Sequence, residues 1–180
     1  MARLIEELRR DHGNMTRLLD VLEGQVAAFH GSAPDYDLIQ SVVEYCLTYP
    51  DLCHHPQEDA VYKRLAARDP MSAAEVGDIL AEHAELAELT RRFAAALRDI
   101  VQEANVPREL FEALARDFIA AYRRHIAREE NEFFPRALKA LSEADWTALE
   151  AAAPVPDLLF GERVAERYRA LYDRIMRVAG

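Results

Sequence analysis

The sequence predicts an all-α protein, an up-down-up-down four-helix bundle with extra helices at its C-terminal end. Three observations lead there. Ala, Leu, Glu and Arg dominate the 180 residues, and these residue types favour helix. Strand-type alternation and β-branched runs are nearly absent, which leaves little for a sheet to form from. Apolar positions recur in steps of three and four over four long stretches joined by short turns, the pattern of helices packed around one core. The length suits one domain with a sizeable core.

The first helix is expected over residues 2–29. Ile5, Leu8, His12, Met15, Leu19, Leu22, Val26 and Phe29 form an unbroken inward seam. Gly31-Ser32-Ala33-Pro34 ends it, and His30 stands at that loop with no motif around it. Asp35 can cap a second helix that runs to about Arg68. Its inward line is Val43, Leu47, Pro50, His54, Glu58, Val61 and Leu65. Pro50 and Pro56 fall inside this segment. Proline removes a helix hydrogen bond and kinks the axis. Because the periodicity survives both prolines, the expectation is a bend and not a break.

Asp69-Pro70-Met71 reads as a turn, and Ser72-Ala73-Ala74-Glu75 as a capping box opening a third helix to about Glu103. Its seam is Val76, Ile79, His83, Leu86, Thr90, Phe93, Leu97 and Ile100. Asn105-Val106-Pro107 separates it from a fourth helix, with Pro107 suited to a first helical position. That helix carries Phe111, Leu114, Phe118, Tyr122, His125, Glu129 and Phe133, its last two polar members just before Pro135. Ser142-Glu143-Ala144-Asp145 starts a short helix to about Ala152, and Pro154-Val155-Pro156 then breaks the chain. Asp157 can cap a final amphipathic helix with Leu159, Val164, Tyr168, Leu171, Ile175 and Met176. The expected division is a bundle over 1–141 and a helical extension over 142–180, its last helix packing across the bundle or serving as a homodimer contact.

The bulk properties exclude several classes. A net charge of −10 argues against nucleic acid or an anionic membrane as partner. No apolar run approaches the roughly 20 residues of a membrane span. Charges begin at Arg3, so no signal peptide is expected. Cys46 and Cys53 lie seven residues apart on one helix, a rise of about 10.5 Å and beyond disulfide reach. Reduced thiols suit a cytoplasmic protein, and without a CxxC spacing zinc-finger chemistry is not expected.

The polar members of the seams carry the chemistry. His54 and Glu58, four apart, share one helix face with Cβ atoms roughly 6 Å apart. His125 and Glu129 repeat the pattern. His12 and His83 are the ring-nitrogen donors on the first and third seams. His55 and Asp59 have the same spacing but are rotated about 100° from the inward line, so His55 is expected first to support the site from behind or to face solvent, and second to take the place of His54 should the kink rotate the helix. One histidine on an apolar seam is ordinarily a core residue with a hydrogen-bond partner. Four, two of them with a glutamate one turn on, are better evidence, since each buried polar group left unpaired costs about 1–3 kcal/mol. Four imidazoles and two carboxylates suit two divalent first-row metal ions, with positions left for dioxygen, nitric oxide, peroxide or water. Such donors accept iron, zinc and manganese.

Other chemistries are disfavoured. The Glu-x-x-His pairs of iron-storage bundles have a single near match, Asp51-Leu52-Cys53-His54. Neither cysteine has a convincing partner for nucleophilic catalysis, and no serine sits at a strained elbow. Tyr45, Tyr49 and Tyr122 lie within a turn or two of the histidines; they read first as core aromatics and second as hydrogen-bond donors or radical sinks at the site. Glu130 and Glu132 read first as solvated helix face.

In these residues the chain resembles the hemerythrin-like family, the HHE cation-binding domain. The matching features are Asp11-His12-Gly13, Tyr49-Pro50, the run His54-His55-Pro56-Gln57-Glu58-Asp59, Glu82-His83, and the run from His125 to Pro135. The resemblance covers roughly residues 8–137. It implies that His12, His54, His83 and His125 are terminal ligands of two non-haem irons. Glu58 and Glu129 would bridge them beside an oxo or hydroxo group, with zinc or manganese as substitutes. The family's oxygen carriers hold a further histidine near the third-helix one, and an aspartate five residues after the fourth-helix one. Here the corresponding positions are Ile79, Ala87 and Glu129, so the set looks more like that of the bacterial iron–sulfur repair proteins and the iron-sensing domains. The implied function is binding or reduction of dioxygen, nitric oxide or peroxide. The alternative is an iron sensor, or an iron donor or carrier, without turnover; whether the protein is an enzyme stays open.

Overall fold

The computed structural model describes residues 2–28, 34–102, 106–151 and 169–178. The described residues form helices and no strand. Helix α1 spans Arg3–Ala28, α2 Tyr36–Cys46, α3 His55–Arg68, α4 Pro70–Val76 and α5 Ile79–Val101. Helix α6 spans Arg108–Arg128, α7 Phe134–Ala140, α8 Glu143–Glu150 and α9 Arg169–Val178. Two π-helical turns join consecutive helices, Pro50–His54 ahead of α3 and Glu129–Phe133 ahead of α7. The bundle has four columns: α1, α2 continued by α3, α5, and α6 continued by α7. Neighbours close a ring, with α1 on α2, α2 on α5, α5 on α6 and α6 on α1. Short connections between long helices produce this order.

The apolar core falls into two clusters. One holds Met15, Leu19, Val42, Phe93, Phe118 and Tyr122 among others. The second holds Ile5, Leu8, Val61, Ile79, Phe133 and Trp146 among others. On every column the inward histidines and glutamates fall between the two sets in sequence. They therefore form a polar layer across the middle of the bundle.

Asp35 caps α2 by accepting from the Leu38 N–H at 3.0 Å. The second column then passes a turn at Leu47–Thr48 and the π turn, with helical backbone angles at Tyr49 and His55, so the chain bends through its prolines and keeps its course. Pro56 sits in the first turn of α3, directly after the π turn.

The third column differs from expectation. Asp69, not Ser72, is the cap of α4; its carboxylate accepts from the Ser72 N–H at 3.0 Å and hydroxyl at 2.7 Å. Glu75, the presumed other half of a capping box, reaches Arg136 at 3.1 Å instead. The helix then breaks at Gly77, with φ 83° and ψ −163°, and restarts at α5 under an Asp78 cap. Val76 and Ile79 are both buried, so the apolar spacing spans the break and hid it. Ser142 and Asp145 do form the reciprocal capping box that opens α8, and Asp145 is held further by Arg68 at 2.9 Å.

Leu171 of α9 is buried, and α9 packs on α1 and α2. His30, Gly31 to Ala33, Asn105, the Pro154–Pro156 break, the Asp157 cap, Leu159, Val164 and Tyr168 lie outside the described residues. Cys46 and Cys53 are both buried thiols. No helix among the described residues is long and apolar enough to cross a membrane.

The Gly77 conformation is essentially reserved to glycine, and the Arg128 guanidinium occupies the space a Cβ would need. Gly77→Ala is expected to lower stability by about 1–3 kcal/mol, read as a lower midpoint in urea unfolding with the helical signal of the native state retained.

Candidate metal centre

All six residues expected from the sequence meet in the polar layer, and all are buried. His12 comes from α1, His54 from the first π turn, Glu58 from α3, His83 from α5, His125 from α6 and Glu129 from the second π turn. Each ring directs Nε2 inward. His54 Nε2 stands 3.1 Å from Glu58 Oε1, and His12 Nε2 is 3.3 Å from the same oxygen. His12 and His125 each place Nε2 3.2 Å from Glu129 Oε2. His83 Nε2 stands 3.4 Å from a carboxylate oxygen of Glu58 and of Glu129.

A seventh residue joins them. His55 is 4% exposed, and its ring stacks on His83 with centroids 4.1 Å apart and planes 12° apart. Its place behind the site or at the surface, expected from ideal helix rotation, is not where the structure puts it. The π turn is the reason. The His55 N–H bonds the Pro50 carbonyl five residues back, so the wider turn changes the angular register that an α-helix would impose. Both histidines of the pair then enter the core. The signal in the sequence was the adjacent pair between two prolines. The result is two donor groups, His12 with His54 and Glu58, and His55, His83 and His125 with Glu58. Within each group the ligating atoms lie within 4.8 Å of one another.

Behind every histidine stands a carboxylate. His12 Nδ1 meets Glu130 at 2.8 Å and His83 Nδ1 meets Asp59 at 2.8 Å. His54 Nδ1 meets Asp11 at 3.3 Å, His125 Nδ1 meets Glu82 at 3.3 Å, and His55 Nδ1 meets Asp51 at 3.4 Å. An Nδ1–H donated outward leaves the Nε2 lone pair free to point in, and it makes the ring a better ligand. Glu130, expected on a solvated face, is thus tied to the site and anchored by Arg9 at 2.9 Å. Sequence spacing could not show these pairs, because each except Asp51–His55 joins residues far apart in the chain.

The site is electrostatically tense. Burial alone would lower the His12 pKa, but the adjacent carboxylates of Glu129, Glu130 and Glu58 raise it to about 11. His54 rises to about 9 and His83 to about 10 against the same burial, through Glu58, Asp11 and Glu129. Burial lowers His55 and His125. Burial pushes Glu58 and Glu129 up, yet the surrounding imidazoles hold both below the ordinary carboxylate range.

The residues fit a metal ion. His12, His54 and His125 Nε2, both Glu58 oxygens and Glu129 Oε2 are buried without a hydrogen-bond partner, at about 1–3 kcal/mol each. The inward atoms stand 3.1–3.4 Å apart across the layer. That is the spacing of neighbouring ligands on one ion with bonds of about 2.0–2.2 Å. Imidazole and carboxylate are the donors first-row divalent ions take.

A helical bundle with such a layer defines a metal-binding bundle protein. Residues 3–137 match the family model described as the hemerythrin HHE cation binding domain, so the chain belongs to that family. Comparison with curated proteins gave no match.

The raised histidines give a pH test of the metal-free protein. Their folded-state values of about 9, 10 and 11 lie above the ordinary 6.5. The stability they contribute is therefore full below about pH 6.5 and lost as pH climbs through those values. The melting temperature of metal-free protein is expected to fall steadily from neutral to alkaline pH. In metal-loaded protein a cation replaces the protons, and the fall should be much smaller. Circular dichroism melts of both forms across this range measure it.

Proposed function

We propose that the layer is a di-nuclear non-haem iron centre that binds and reduces a small oxidant: dioxygen, nitric oxide or peroxide. His12 and His54 would hold one ion, His55, His83 and His125 the other, and Glu58 and Glu129 would bridge them beside an oxo or hydroxo group. The observation that carries this reading is the sharing of carboxylates. Glu58 belongs to both donor groups, and Glu129 reaches a histidine of each. His55 supplies the fifth imidazole that the sequence reading lacked.

Iron in such a centre would supply electrons to the oxidant. The chain's own work is to keep the rings in one tautomer, to exclude bulk water, and to leave an approach. A groove of about 530 Å³ between α5 and α6 has His125 in its wall, with Leu86, Leu89, Glu85 and Arg124 around it. That is ample for a diatomic molecule or a peroxide to reach the ligand shell. Zinc and manganese suit the same donors.

A second reading is an iron sensor, or an iron donor or carrier, without turnover. The position of the layer between two apolar clusters favours it, because removing the ions leaves a buried charged sheet that the bundle must absorb.

Metal content by mass spectrometry, on protein grown with added iron and purified without chelating resin, tests both. Two irons per chain are expected. No metal, even after anaerobic reconstitution with ferrous iron, would overturn the proposal. Glu58→Ala with Glu129→Ala should lose both ions, whereas His55→Ala should retain the ion at His12 and His54 and lose the other. The reduced protein should change colour with at least one of the three oxidants. A silent spectrum with all three, together with a large drop in melting temperature on chelation, would select the sensor.

A further inference from the structure

Asp11 connects the metal layer to a phenol. Its Oδ2 accepts from the Tyr49 hydroxyl at 2.9 Å and stands 3.3 Å from His54 Nδ1. One carboxylate oxygen serves both groups. The π turn makes this possible. Tyr49 and His54 are five residues apart, a spacing that an α-helix turns to different faces and an i→i+5 turn brings closer to one. Tyr49 is half-buried, and its ring stacks on fully buried Tyr45 with centroids 5.5 Å apart. Asp11 keeps 13% of its side-chain exposure. Packing accounts for Tyr45. It does not account for a hydroxyl directed at the carboxylate that orients an inward histidine. A phenol is readily oxidised when its proton has a base to go to, because electron and proton then leave without creating a charged ring.

We propose that Tyr49 is a redox relay residue that gives one electron and one proton toward the metal layer during peroxide reduction. The proposal rests on the di-iron reading. Hydrogen peroxide needs two electrons and two protons to become two waters. Tyr49 supplies one electron, passed along Asp11 and His54, while its phenolic proton moves to Asp11 Oδ2 and on to product. A one-electron reductant of the ascorbate class supplies the other electron and proton. The O–O bond breaks, two O–H bonds form, the Tyr49 O–H bond breaks, and the metal pair starts and ends in the same oxidation state. A second reductant molecule returns a hydrogen atom to the phenoxyl radical. The activity is that of a peroxidase taking electrons at a half-exposed tyrosine.

The test is electron paramagnetic resonance on iron-loaded protein mixed with one equivalent each of hydrogen peroxide and ascorbate and freeze-quenched. A tyrosyl signal is expected, narrowed when the protein carries ring-deuterated tyrosine. Tyr49→Phe should abolish it with iron content and melting temperature unchanged, and Tyr45→Phe should retain it. Asp11→Asn, which keeps the side-chain shape and cannot take the proton, should lower the radical yield. A full signal in Tyr49→Phe would overturn the relay. So would wild-type protein that consumes peroxide without any radical. Wild-type protein that holds no iron, or leaves peroxide unconsumed, would instead remove the di-iron reading on which the relay stands.

Discussion

Seven ionisable side chains buried in one layer dominate the energetics of this bundle. Two carboxylates and five imidazoles lie together between two apolar clusters. Burying such groups without partners is costly. Without a cation, the layer's remedy is to hold protons: three histidines are pushed well above their ordinary value while both glutamates stay ionised. The inward atoms still find no good hydrogen bonds, because the geometry suits a central ion better than it suits proton sharing. The two apolar clusters on either side provide the rigidity that holds this arrangement open.

The π turns shape the layer. Both fall on the histidine–glutamate pairs, one ending at His54 directly before His55, the other starting at Glu129. A π turn sacrifices regular hydrogen bonding and is found frequently at functional sites. Here the first changes the rotation of the second column so that His54 and His55 both face the core. It also lets Tyr49 and His54 share Asp11. The prolines fit this: Pro50, without an N–H, opens the wide turn, and Pro56 falls in the first turn of α3. Prolines that read as a bend in the helix are part of what brings the extra imidazole inward.

Outside the histidines lies a second ring of charge. Asp11, Asp51, Asp59, Glu82 and Glu130 each take one Nδ1. Arg9 holds Glu130, Arg128 pairs with Glu82, and Tyr49 holds Asp11. The arrangement fixes the tautomer and tilt of every ring from the surface inward. It also gives a chain with net charge −10 a local use for part of that charge.

By itself the sequence determined the fold class, the four columns and six of the seven histidines and glutamates of the layer. Periodic apolar spacing reports which face of a helix is buried, and His12, His54, Glu58, His83, His125 and Glu129 all sit on that spacing. Local patterns were less decisive. The Ser142–Asp145 box opens α8 as its spacing suggests, whereas Ser72–Glu75 is not a cap, because Asp69 outcompetes Ser72 and Glu75 has Arg136 across the surface. The break at Gly77 was hidden because Val76 and Ile79 stay in phase across it. Tertiary structure alone decided the inward turn of His55, the four carboxylates that reach the rings from distant parts of the chain, and the tie from Tyr49 through Asp11 to His54. Each depends on a local rewinding of helix or on residues from different columns meeting, and the period of one ideal helix carries information about neither.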